Sequence, residues 1–153
     1  MSHHASLAPT PVPHDRATAL ELSELATTVI ETAQGAIDEL AQTEPAGLPV
    51  ADAHTRLVIA RSEAGLAASR LLLRSATDAL EAAGGPVEPP SHEQRIDLRA
   101  AMGFAARTSR EVLMEAHEVG SSSARYDGSR LESSFRDGMV ALQQVNRATE
   151  SLQ

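Results

Sequence analysis

The chain has 153 residues and a formal net charge of −8; 42% of it is hydrophobic, and its aromatic side chains are one Tyr and two Phe. This length suits one domain, and a core of Ala and Leu with so few aromatics suits packed helices better than a sandwich or barrel. The absence of Cys excludes disulfides, thiolate metal sites and a Cys nucleophile, while an acidic balance with Arg but no Lys argues against a general nucleic-acid or anionic-membrane binder.

Residues 1–14 contain His3, His4, Pro9, Pro11, Pro13 and His14, with neither a basic n-region nor an apolar h-region. They predict a disordered lead rather than a secretory signal, and a cytoplasmic protein. No apolar run reaches 18 residues, so no membrane-spanning helix is expected. The bundle domain is expected over 15–153. Its first helix runs from about Asp15 to Gln42, with Leu22, Leu25, Val29, Ala33, Ile37 and Leu40 on one face. Residues 1–50 carry seven carboxylates and a single Arg, Arg16, which predicts a solvated acidic surface or a docking face for something basic.

Pro45, Gly47 and Pro49 end this helix. Asp52 is the expected N-cap of the second, whose predicted inner face is Leu57, Ala60, Ala64, Ala67, Leu71, Ser75 and Ala79. Gly84, Gly85 and Pro86 stop it. Ser91 and Gln94 form an S-x-x-Q capping box before a third helix with Ile96, Leu98, Met102, Phe104, Ala105, Val112, Leu113 and Ala116. Gly120 is the expected C′ residue. A polar loop, 121–128, precedes a second box at Ser129 and Glu132, and Leu131, Phe135, Met139, Leu142 and Val145 line the last helix. The fold class is therefore all-α, an antiparallel up-down-up-down four-helix bundle. Ala-rich contacts bury little area per residue, so a further face is expected to be covered by another subunit.

The six histidines do not fall into the E-x-x-H pattern of bundle metal sites, and no metal is expected. Arg107–Glu111 and Arg74–Asp78 have the spacing of i,i+4 ion pairs. Arg125, Arg130 and Arg136 near a helix start offer a place for a phosphate or carboxylate. No phosphate-binding glycine loop, Walker A motif or G-x-S-x-G elbow occurs.

Several segments are similar to a known domain. Ser109-Arg110-Glu111, Met114-Glu115-Ala116-His117, Gly120-Ser121-Ser122-Ser123-Ala124 and Leu131-Glu132-Ser133-Ser134-Phe135-Arg136-Asp137 resemble the C-terminal helical domain of the acyl-CoA dehydrogenase superfamily. The closer likeness is to its flavin-dependent monooxygenase branch, which includes two-component aromatic hydroxylases and sulfur-heterocycle desulfurising oxygenases. Gly35-Ala36-Ile37-Asp38 and Arg56 to Ala64 resemble its first two helices, so the likeness runs from about Asp15 onward. Family members are near 400 residues, with an N-terminal helical domain and a β-barrel that hold most of the flavin and substrate site. Neither has a counterpart here.

The resemblance implies cofactor contacts from Arg136, Asp137, Gln144 and Arg130. Gln144 stands where monooxygenases of this branch commonly carry a His, and a Gln cannot transfer protons near neutral pH. Tyr126-Asp127-Gly128-Ser129 is similar to the Tyr-Glu-Gly-Thr-like segment holding the dehydrogenase base, although anchoring on Leu131 shifts that match by one. Asp127, Tyr126 and His117 are thus the candidate catalytic residues. Three readings follow. The first is a split flavoenzyme acting on a small organic or acyl substrate, with FAD or FMN at an interface with a flavin-binding homologue or another subunit. The second is a repurposed, flavin-independent bundle, acting alone or as a homodimer, that performs isomerisation, dehydration or cyclisation on a small metabolite. The third is a structural or regulatory subunit without chemistry.

Overall fold

The computed structural model describes residues 15–42, 51–122 and 128–152, the side chains at 51, 52, 128 and 129 excepted. Four helices account for nearly all of them: α1 (Arg16–Gln42), α2 (Ala51–Ala82), α3 (His92–Ser121) and α4 (Gly128–Ser151). They form a four-helix bundle. Each helix packs against the next and α4 returns to α1, while α1 also meets α3 across the core. Among the described residues α2 and α4 do not meet. Between α1 and α2, and between α2 and α3, the contacts advance in opposite directions in sequence. Gln34 meets Arg70, and Arg16 meets the segment beyond α2. Arg61 pairs with Glu115, and Gln94 reaches Ala79.

The start of α1 is closed by a remote part of the chain. An α-helix leaves its first four amides without intrahelical acceptors. Here the Arg16 and Ala17 amides donate to the carbonyls of Glu88 and Pro86, at 3.1 and 3.2 Å. The Thr18 amide donates to the Asp15 carboxylate at 2.7 Å, and the Ala19 amide to the Asp15 carbonyl at 3.3 Å. The Arg16 side chain is buried, donates from Nη1 to the Gly85 carbonyl at 2.8 Å, and lies 3.7 Å from the Glu88 carboxylate. Gly84 makes the preceding turn at φ 146°, a conformation that L side chains avoid. A Cβ there would run into the Glu88 carboxylate and crowd the Arg16 guanidinium.

At α3 the expected capping box is present. The Gln94 amide donates to Ser91 Oγ at 3.1 Å, and the Ser91 amide to Gln94 Oε1 at 2.9 Å. Three other predicted boundaries shift. Because α2 begins at Ala51, Asp52 falls inside its first turn instead of at the cap. Since α4 begins at Gly128, Ser129 likewise lies inside the helix. Gly120 is buried within α3, which continues to Ser121 and is capped by Ser122 in the right-handed region.

The core is aliphatic, centred on Val29, Ile30, Ile37 and Leu40 of α1 with Leu66, Leu80, Leu98, Met102, Leu113 and Val145. Predicted and observed faces agree for α1 and α4 and for most of α3, where Ile96 turns outward. For α2 they do not. Leu57, Ala60, Ala64, Ala67, Leu71, Ser75 and Ala79 are exposed, Leu57 and Leu71 by 63% and 68%. The buried face is Val58, Ser62, Leu66, Ser69, Leu73, Ala76 and Leu80. Both sets have helical spacing, but the second puts Leu at three positions seven residues apart and so removes more apolar area from water. Its serines obscure the pattern in the sequence.

Ser69 Oγ donates to the Gly65 carbonyl at 2.9 Å, whereas Ser62 Oγ and Ser109 Oγ are buried without a hydrogen-bond partner. Removing such a hydroxyl relieves an uncompensated desolvation cost of about 1–3 kcal/mol. Ser62→Ala and Ser109→Ala should therefore raise the thermal midpoint, by roughly 2–4 °C per kcal/mol at this size. In the same melts, Gly84→Ala should destabilise by about 1–2 kcal/mol, and Arg16→Ala by about 1.5–3 kcal/mol through its lost charged hydrogen bond.

Candidate functional site

The second half of α3 and the first half of α4 carry most of the predicted site. Gly138 is buried at their crossing, where a Cβ would collide with the Leu113 side chain. Its lack of a side chain permits that close approach. About one turn away on each helix, His117 stacks on Phe135 with ring centroids 4.7 Å apart and planes 23° from parallel. His117 is half-buried, so this candidate acid–base group is also a packing partner across the helix pair. Its carbonyl accepts from Ser121 Oγ at 2.7 Å. Tyr126 and Asp127, the other two catalytic candidates, lie outside the described residues, as does Arg125.

Arg130 is exposed and lies 3.6 Å from the Glu39 carboxylate, tying α4 to α1. Arg136 is six residues further on, roughly 240° around the helix, so the structure does not bring these two members of the predicted anion cluster together. Arg136, Asp137 and Gln144 are all exposed. Asp137 accepts from Ser133 Oγ at 3.5 Å. Arg130, Asp137 and Gln144, seven residues apart, share one side of α4 over about 21 Å at 1.5 Å per residue. Val140 lies within that row and is 54% exposed. An outward row of this kind offers hydrogen bonds and charge but cannot enclose a ring system or exclude water from it. The described residues of one chain therefore do not by themselves make a flavin cradle.

Of the two ion pairs expected within helices, neither is present. Arg107 places its guanidinium 5.6 Å from the centre of the Phe104 ring, a cation–π distance, instead of reaching Glu111. Arg74 makes no ion pair with Asp78. The Arg61–Glu115 pair between α2 and α3 has no signal in the spacing of either helix. The hydrogen bond and charge of Glu115 raise the Arg61 pKa above its ordinary value, with Glu111 adding to the effect. Among the described residues, no three His, Asp or Glu side chains gather closely enough to hold a metal ion.

One concavity was not anticipated. A groove of about 360 Å³ is lined by His92, Arg95, Ile96 and Arg99 of α3 and by Leu152 beyond α4. The i, i+3, i+4, i+7 spacing in α3 is its signal in the sequence; Leu152 is far away in the chain.

The four packed helices define an all-α bundle domain. The family model described as acyl-CoA dehydrogenase, C-terminal domain, matches residues 25–145, and the chain belongs to that family. No curated protein gives a significant match. Among the described residues, no helix is long and apolar enough to cross a membrane.

The His117–Phe135 stack should show a coupling of about 0.5–1.5 kcal/mol. The measurement is a double-mutant cycle of His117→Ala and Phe135→Leu by urea denaturation.

Proposed function

We propose that this chain is the helical component of a two-part flavoenzyme, completing a site for FAD or FMN together with a flavin-binding homologue. The substrate class would be a small organic or acyl compound, and the chemistry that of an oxidoreductase, with the monooxygenase branch as the nearer relative. The observation that carries this reading is the outward direction of Arg136, Asp137 and Gln144 on α4, in a chain belonging to the acyl-CoA dehydrogenase C-terminal family. Residues that face away from their own bundle can act only on something presented from outside. Arg136 offers a planar cationic fork, Asp137 a carboxylate acceptor, and Gln144 both a donor and an acceptor. None of these assignments requires the bundle to enclose the cofactor.

Self-association is a separate part of the proposal. The exposed face of α2 presents Leu57 and Leu71 at the two ends of a row containing Ala60, Ala64 and Ala67, and C-terminal domains of this family typically oligomerise. A second reading, a structural or regulatory subunit without chemistry, is favoured by the engagement of His117 with Phe135 and of Arg130 with Glu39. His117 is the candidate acid–base group and Arg130 a candidate cofactor contact, and both have packing or pairing roles.

Native mass spectrometry with added FAD and FMN separates these readings. The isolated chain should assemble without retaining flavin, and Leu71→Glu should dissociate it. Co-expression with flavoproteins from its own source should give a complex that holds flavin, at least tenfold less of it with Arg136→Ala or Asp137→Ala. A complex whose flavin content is insensitive to both substitutions would support the non-catalytic subunit instead.

A further inference from the structure

We propose that the groove between the start of α3 and the end of α4 binds a small amphipathic carboxylate, an organic acid with a short hydrocarbon part. The groove lies at the start of α3, where Arg99 is about 27 Å along the helix from His117 at 1.5 Å per residue. It is therefore separate from the His117–Phe135 pair, and its Leu152 lies eight residues beyond Gln144.

Its lining is chemically divided. His92, Arg95 and Arg99 supply nitrogen donors along one side of α3, and among the described residues no side-chain carboxylate lines the groove. That is notable in a protein with an acidic balance of eight charges. Between the donors, Ile96 is 52% exposed, and Leu152 closes the apolar floor. A large aliphatic side chain left in water between two guanidinium groups costs solvation free energy in the free protein, which an apolar group seated against it recovers. The volume falls within the range of small-molecule sites.

The site is also partly preorganised. Arg95 Nη1 donates to the Pro90 carbonyl at 3.1 Å, which holds one guanidinium in place. Arg99 has no hydrogen bond or ion pair among the described residues and is available to a ligand. The first turn of α3 beneath them is fixed twice, by the Ser91–Gln94 box and by Gln94 Nε2 donating to the Ala79 carbonyl at 2.9 Å. Fixed donors lose less entropy when they bind. Arginine forks one turn apart suit a planar carboxylate, and the exposed Ile96 requires that the acid carry a tail.

Hexanoate is the probe, titrated into the full, isotopically labelled chain and followed by amide NMR shifts. Saturable shifts confined to residues 90–99 and Leu152 are expected. Acetate, which lacks the tail, and hexanol, which lacks the charge, should bind at least tenfold more weakly. Arg99→Gln and Ile96→Asp should each weaken hexanoate at least tenfold. Both positions are exposed, and circular dichroism checks that the variants remain folded. Equal binding of acetate, inorganic phosphate and hexanoate would reduce the groove to a nonselective anion patch and overturn the proposal. Equal binding of hexanol, or no saturable shift, would also overturn it.

Discussion

The closure of α1 by the segment between α2 and α3 is the constraint on which the rest of the bundle depends. Two backbone carbonyls, from Pro86 and Glu88, take the first two amides of α1, and the Asp15 side chain and carbonyl take the next two. Every donor that helix geometry leaves unmatched at this end is thereby satisfied, half of them by residues some seventy positions away in sequence. The linkage fixes more than a helix end. It sets the height of α1 against α2, and since the same segment leads into the Ser91 cap, it sets α3 as well. The buried Arg16 reinforces it, and its cost is contained because Gly85 and Glu88 meet the guanidinium at Nη1, although its buried Nε has no hydrogen-bond partner.

How much of this could be read in the sequence differed from helix to helix for physical reasons. The faces of α1 and α4 were legible because bulky aliphatic residues mark a single stripe. α2 carries two stripes of the same period. The one richer in Ala attracted the assignment, because Ser62 and Ser69 interrupt the other. Spacing alone cannot choose between them; the size of Leu66, Leu73 and Leu80 can. The cap of α1 was illegible for a different reason, since its acceptors are backbone atoms of a distant turn and backbone atoms leave no trace in side-chain pattern. Gly84 and Gly85 announced the turn but not its target.

The candidate site divides in a similar way. Similarity drew attention to α4, and the family is established over residues 25–145. The grouping of Arg130 with Arg136 failed because proximity in sequence is not proximity around a helix: six positions place them on different sides. His117 was singled out for its chemistry, and the structure adds the Phe135 ring against which it lies. The basic groove escaped notice because it combines an amphipathic face of α3 with Leu152, a pairing that exists only after the helices have packed.

The unequal diagonals of the bundle have a consequence of their own. α1 and α3, which both bury several alanines, meet across the core, while among the described residues α2 and α4 stay apart. The cross-section is thus a rhombus, with α2 and α4 at its far corners. The aliphatic row of one and the polar row of the other look away from each other. Neighbours of two different kinds can be held at the same time without competing for surface, and the domain has the geometry of a bridge as much as that of a lid.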